Sequence, residues 1–128
     1  MIALSRLLRA PWALCVLILL VCAASAQERL CDPSFEDCYT PLLKAVQSET
    51  VGIDFAFYGI ELPGLADAII RRYQAGVAVR ITVEPRANLK FTGNQAILDK
   101  FQAAGIPMRY KLADGIVHVK MMLLAGQN

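Results

Sequence analysis

The chain has 128 residues, of which 56% are hydrophobic and 19% are charged. This composition excludes a long disordered tail, a collagen-like repeat and a basic tail that coats nucleic acid, and it sets one compact domain as the upper limit. The 13 basic and 11 acidic residues give a formal net charge of +2, which is too small to identify an anionic partner.

The N-terminal segment has the pattern of a secretory signal peptide. Arg6 and Arg9 precede an uncharged run at 10–26, whose apolar centre covers 12–21. That centre is shorter than the roughly 20 residues of a membrane-spanning helix and has the length of a signal-peptide core. We therefore predict a signal peptide at 1–26, with an uncleaved anchor and a buried N-terminal helix as the alternatives.

The end of this segment supplies a cleavage site. Ala24 and Ala26 form the small-x-small pattern, so we expect cleavage before Gln27, whereas lipid modification of Cys22 is a weaker alternative. Loss of the two arginines leaves 11 basic and 11 acidic residues, a neutral mature chain. We expect this mature chain to be secreted or periplasmic, with no integral membrane span.

Two cysteines, Cys31 and Cys38, remain in the N-terminal segment 27–38 of the mature chain. In an oxidising compartment they are expected to form a disulfide, and two free thiols are the alternative. We predict no metal site, because no other cysteine remains after cleavage and the one histidine, His118, is far away in sequence.

The domain at 39–128 alternates helical and strand patterns. The first helix is expected to begin with Thr40 as N-cap and Pro41 at its first position, and to end near Ser48-Glu49-Thr50. Apolar spacing then predicts, in chain order, a strand at 51–58, a helix at 63–74 capped by Gly76, a strand at 77–84, an irregular stretch at 85–93, a helix at 96–104, a strand at 108–112, a turn at Asp114-Gly115 and a strand at 116–124. In the second strand Arg80, Thr82 and Glu84 are expected on the polar face.

This alternation predicts an α/β fold with a mixed, mostly parallel sheet flanked by helices. The last two strands, joined through Asp114-Gly115, are candidates for an antiparallel pair. No helix pattern follows Leu124, so we expect the fold to be incomplete at its C-terminal end.

His118 and Lys120 interrupt an otherwise apolar strand pattern. Residues two apart in a strand lie on the same face, with Cα atoms about 6.6 to 7 Å apart. An imidazole and an ammonium at that spacing can bind one phosphate, the histidine as nucleophile or proton carrier and the lysine as a point charge. The alternative is an edge strand whose polar side chains face water.

The segment 118–126 reads H-V-K-M-M-L-L-A-G, which resembles the H-x-K-x4-D-G signature of the phospholipase D superfamily. The order of elements over about 39–126 is similar to that family as well. The resemblance implies a phospholipase D-like fold and a phosphodiesterase that needs no metal and no cofactor. It implies that one histidine attacks phosphorus to form a phosphohistidine while a second protonates the leaving oxygen.

Carried onto this chain, the resemblance makes His118 the nucleophile or general acid and Lys120 the residue that neutralises charge on the phosphate oxygens. The implied substrate is a phosphodiester. A phospholipid is favoured, DNA or RNA is the runner-up, and a non-catalytic binding domain with a degenerate site is the third hypothesis. A neutral mature chain gives a nuclease no electrostatic advantage.

Two features depart from the family pattern. Ala125 stands where the motif has Asp, so we expect impaired or atypical activity. The chain also has one histidine, whereas the implied mechanism uses two. A second H-x-K motif would have to come from a homodimer partner or from a missing C-terminal half.

Other residues are weaker candidates. Asp54, Tyr58 and Glu61 are expected to cluster at the end of the first strand, where ligands of parallel sheets bind, with a solvated strand end as the alternative. A basic rim for phosphate-bearing substrates, or ordinary surface charge, is predicted from Arg80, Arg86, Lys90, Arg109 and Lys111. Met121 and Met122 are assigned to the core or an interface.

Overall fold

A computed structural model describes residues 30–112 and 114–127 of the chain. The predicted signal peptide at 1–26 lies outside these residues. The elements in chain order are α1 (Tyr39–Ser48), β1 (Gly52–Phe57), α2 (Pro63–Gln74), β2 (Ala78–Val83), α3 (Pro85–Lys90), α4 (Thr92–Ala103), β3 (Met108–Tyr110) and β4 (Lys120–Leu124).

The four strands form one sheet in the order β3-β2-β1-β4. β1, β2 and β3 are parallel, whereas β4 runs antiparallel to β1. This arrangement confirms the predicted mixed, mostly parallel sheet flanked by helices.

The expected antiparallel pairing of the last two strands is wrong, because β3 and β4 lie at opposite edges of the sheet. A tight hairpin needs a short turn, whereas the connection at 111–119 is long. It passes the end of β2, where the N–H of Val117 donates to the Glu84 carboxylate. The connection between β3 and β4 is therefore a crossing segment that runs from one edge of the sheet to the other. The turn at Gly115, with φ +85°, belongs to this crossing segment and not to a hairpin.

Several boundaries match the sequence pattern. α2 covers the predicted helix, and Gly76 follows it with φ +91°, a backbone conformation that favours glycine at a helix end. β1 and β2 fall within their predicted ranges, because alternating apolar side chains match the two-residue period of a strand.

Several predicted boundaries are wrong: the helix predicted at 96–104 begins at Thr92, and the strand predicted at 108–112 ends at Tyr110. The stretch expected to be irregular contains α3, since Pro85 occupies its first position and the Glu84 side chain accepts the N–H of Arg86. At the start of α1, Asp37 and not Thr40 accepts backbone N–H groups, those of Tyr39 and Thr40. The last strand is shorter than predicted and begins at Lys120.

The two faces of the sheet differ in burial. On the covered face, alternate residues of β1 and β2 pack against the helices. The buried core between sheet and helices includes Ile53 and Phe55 of β1, Val79, Ile81 and Val83 of β2, Val46 of α1, Leu65 and Ile69 of α2, and Phe101 of α4. The open face carries the intervening residues Asp54, Ala56, Arg80, Thr82, Met121 and Leu123. Met121 and Leu123 are 47% and 55% exposed there.

The N-terminal segment contains the predicted disulfide between Cys31 and Cys38. Glu36 lies near both sulfurs, but a disulfide leaves neither sulfur available as a thiolate ligand. Within 30–112 and 114–127, no helix has the length and apolar character needed to cross a membrane.

Candidate functional site

His118 and Lys120 lie together at the start of β4. The Nε2 atom of His118 is 3.1 Å from the Nζ atom of Lys120, and both residues are exposed. Lys120 is opposite Phe57 in the register of β1 and β4. The two side chains share one side as predicted, but His118 precedes the strand, so strand geometry alone does not produce the contact.

The two side chains are within hydrogen-bond distance of each other. A lysine ammonium has hydrogen-bond donors and no acceptor, so in a contact with the charged lysine Nε2 is the acceptor. In this arrangement Nε2 of the imidazole faces the Lys120 side chain.

Tyr58 forms one wall of this site. Its ring centroid lies 5.0 Å from that of His118 in an edge contact, and the Lys120 Nζ atom lies 5.5 Å from the Tyr58 centroid. Phe91 also packs against Tyr58 in an edge contact, with its ring centroid 6.1 Å from that of Tyr58. The tyrosine therefore orders both polar side chains through ring contacts.

Asp54, Tyr58 and Glu61 do not cluster as expected. Asp54 is in the middle of β1 on the open face, where both carboxylate oxygens accept hydrogen bonds from Arg80. These hydrogen bonds lower the pKa of Asp54 and raise the pKa of Arg80. Glu61 is exposed and lies beside Gly93. Of the three predicted residues, Tyr58 is the one that contacts His118.

The structure distributes the residues of the predicted basic rim over different surfaces. Arg80 and Arg109 lie on the open face, whereas Arg86 and Lys90 belong to α3. The Lys111 Nζ atom donates to the carbonyl oxygens of Asp114 and Gly115 in the crossing segment. Ordinary surface and loop contacts account for these residues better than a shared phosphate rim.

Glu84 lies beneath the segment that contains His118. The residue is 2% exposed, and its carboxylate accepts the N–H of Val117 at 2.7 Å and that of Arg86 at 3.1 Å. The hydrogen bond from Val117 is the largest cause of a lowered pKa for Glu84. Glu84 was expected on the polar face of the second strand; it instead turns inward at the strand end.

Glu49 contacts the chain just after β4, at Gly126, as Glu84 contacts it just before β4, at Val117. It is 0% exposed, and its carboxylate accepts the N–H groups of Thr50, Val51, Gly52 and Gly126. Burial alone would raise the pKa of Glu49, but the amides of Val51, Gly52 and Gly126 outweigh it and hold this pKa below its ordinary value.

Ala125, where the motif would have Asp, lies directly before this anchored position. Its N–H donates to the carbonyl oxygen of Gly52 at 2.9 Å. The carboxylate that holds this end of the motif segment therefore belongs to Glu49.

Sequence reasoning missed both glutamates. The pair Glu84-Pro85 carried a usable signal, since an acidic cap before a proline is typical of a helix start. Glu49 has local partners in Thr50, Val51 and Gly52, but its contact with Gly126, 77 residues away, left no signal in the sequence.

Comparisons with known proteins identify the fold class. No family model and no curated protein matches the sequence. Among solved structures, the chain resembles Nuc from Salmonella typhimurium, a phospholipase D family member, with a TM-score of 0.62 and 24% identity over 67% of this chain and 56% of Nuc. It also resembles polyphosphate kinase from Porphyromonas gingivalis, with a TM-score of 0.50 and 23% identity over 66% of this chain and 14% of the kinase.

The fold is therefore a phospholipase D-like α/β fold. The chain spans about half the length of Nuc, the match covering 56% of that protein. At this level of identity the likeness describes the architecture, and the chemistry has to be argued from the residues of this chain.

Proposed function

We propose that the chain is a phosphodiesterase module of the phospholipase D type, in which His118 and Lys120 act on the phosphorus of a phosphodiester. The single observation that carries this proposal is the 3.1 Å contact between His118 Nε2 and Lys120 Nζ at the edge of a phospholipase D-like sheet. The pair is exposed, so a substrate can reach it.

In the proposed reaction, a phosphate oxygen draws the Lys120 ammonium away from His118 and frees the lone pair on Nε2. Nε2 then forms a bond to phosphorus as the ester P–O bond breaks, and Lys120 neutralises charge on the equatorial oxygens. The leaving oxygen takes a proton from a second imidazole. That imidazole then accepts a proton from water, which attacks the phosphorus of the phosphohistidine. The P–N bond breaks, and the products are a phosphate monoester and the free His118 imidazole.

The second imidazole has to come from outside this sequence, which contains one histidine. We propose that a second copy of the chain or a further H-x-K half of a longer protein supplies it. The single histidine and Ala125 also favour the third hypothesis, a binding domain without turnover, which the experiments below distinguish.

A phospholipid is the favoured substrate. Phe91, 37% exposed, packs on the Tyr58 ring that contacts His118, which gives the site an apolar aromatic border. An acyl chain can lie against such a border while its phosphate reaches the polar pair. The neutral charge of the predicted mature chain supplies no long-range attraction for nucleic acid.

The first test is phosphodiesterase activity in the presence of a chelator, with phosphatidylcholine vesicles and single-stranded DNA as competing substrates. We expect His118→Ala to lower turnover by at least about 100-fold, the scale of a removed proton-transfer group. Lys120→Ala should have an effect of similar size, and Lys44→Ala, an exposed lysine of α1, is the matched control. Unchanged turnover in His118→Ala would exclude the mechanism, whereas phosphate binding without turnover in the unmodified protein would support the binding domain.

The second test measures how a second motif is supplied. If two copies share one site, adding folded His118→Ala protein should inhibit the unmodified protein as mixed dimers form. Native mass spectrometry would report the dimer directly. A monomer with full activity would contradict a shared site.

We further propose that the protein is exported and processed before Gln27. The disulfide between Cys31 and Cys38 is typical of an oxidising compartment. An intact mass of protein from its source that begins at Gln27 would support this proposal, and a mass that retains Met1 would contradict it.

A further inference from the structure

Two hydrogen bonds hold the backbone on either side of His118. The N–H of Val117 donates to the Glu84 carboxylate at 2.7 Å, and the N–H of Tyr58 donates to the carbonyl oxygen of Val119 at 2.8 Å. His118 itself precedes β4 and so lacks the regular ladder that orders a strand residue. The placement of its imidazole depends on these flanking contacts.

The Tyr58 contact comes from the residue that follows β1, whereas the Glu84 contact comes from the residue that follows β2. Glu84 is 2% exposed and its second hydrogen bond, from the N–H of Arg86, ties it to the start of α3. A buried carboxylate that accepts two amide hydrogen bonds has little freedom to move. Breaking either hydrogen bond would leave an amide without its acceptor and the buried charge with one partner fewer.

We propose that Glu84 is a positioning residue for His118: by holding the Val117 amide, it keeps the imidazole against Tyr58 and within reach of Lys120. Glu84 acts through the backbone and does not touch the substrate. The consequence for turnover rests on the proposed function, but the geometric claim does not.

The chain offers a matched control in Glu49. It is also a buried glutamate that accepts backbone amides, and it holds Gly126 at the opposite end of β4. Substitution of either residue removes the same kind of interaction. If Glu84 positions His118, the two substitutions differ at the imidazole even where they destabilise the protein alike.

The test uses the one histidine of this sequence as an NMR probe. In the unmodified protein we expect nuclear Overhauser contacts between the His118 ring and the Tyr58 ring. In Glu84→Ala, which removes both acceptor oxygens and leaves the Val117 amide without its partner, we expect these contacts to be lost. In Glu49→Ala they should persist. Retention of the contacts in Glu84→Ala, or equal loss in both variants, would overturn the proposal.

If Glu84→Ala fails to fold, amide exchange in the unmodified protein still tests the proposal. The Val117 amide should exchange at least about tenfold more slowly than an unprotected amide, and exchange at the unprotected rate would overturn the proposal. Because neither measurement uses a substrate, full activity of His118→Ala would refute the proposed function while leaving these results to decide the role of Glu84.

Discussion

The covered face and the open face of the sheet are built from alternate residues of the same strands, but they differ in chemistry. β1 directs Ile53 and Phe55 into the core and Asp54 to the open face, where it pairs with Arg80. Burial is what a domain of this size uses for stability, whereas an exposed ion pair contributes little. The comparison indicates that the covered face maintains the fold and that substitutions on the open face are tolerated.

Truncation of the covered face should have the largest effect. Phe101 is 0% exposed and its ring packs edge-on against Phe55. We expect Phe101→Ala to lower the free energy of unfolding by about 3 to 5 kcal/mol, because it leaves a cavity in the core. Chemical denaturation measures this change. Leu123→Ala on the open face is the control, with an expected change of no more than about 1 kcal/mol; equal effects would contradict the difference between the faces.

The next effect concerns the buried carboxylate at the edge of the covered face. We expect Glu49→Ala to lower the free energy of unfolding by about 1 to 3 kcal/mol, since it leaves several part-buried amides without their acceptor. Denaturation of this variant should be compared with that of Glu61→Ala, which changes an exposed glutamate. Similar curves for the two variants would show that the Glu49 hydrogen bonds add nothing to stability.

Acidification should lower the free energy of unfolding through the same carboxylate, Glu49, by an amount smaller than its truncation does. The pKa of Glu49 is held below its ordinary value of 4.5 by backbone amides, so the folded state favours the ionised form. The resulting stabilisation is complete above pH 4.5 and is lost as the pH falls through the lower pKa of the folded state. In acid titrations of stability, Glu49→Gln should be less stable at neutral pH and lose less on acidification. Parallel curves would contradict this linkage.

The smallest effect is expected on the open face. Asp54→Ala removes the acceptor of Arg80, but their side chains are 40% and 79% exposed. We expect a loss of about 0.2 to 1 kcal/mol, which should shrink further in about 1 M salt because the charges are screened. Double-mutant cycles with Arg80→Ala measure the coupling. A loss as large as that of Phe101→Ala would show that the open face carries more of the fold than its exposure indicates.

Local pattern was sufficient for much of the architecture. The two-residue alternation of β1 and β2 and the helical spacing of α2 predicted those elements, because side-chain period follows directly from backbone geometry. The Cys31–Cys38 pair was also predictable, since the cysteines are seven residues apart in a short segment. His118 and Lys120 were visible as polar interruptions of an apolar run.

Long-range contacts were not visible in the sequence. The position of β4 beside β1, and not beside β3, depends on the path of the crossing segment. The role of Glu84 depends on an amide 33 residues away and that of Glu49 on one 77 residues away. Local periodicity does not show which amide a distant carboxylate will contact, because every residue except proline carries the same backbone N–H group.

The sequence by itself determined the periodic elements, the disulfide and the H-x-K pair, since each depends on residues that are close together in the chain. The tertiary structure decided which strand the pair lies beside, that Tyr58 and not Asp54 or Glu61 contacts His118, and which carboxylates hold the site segment at each end. The physical reason is that burial makes unpaired amides and carboxylates costly, and only the folded chain brings their partners together.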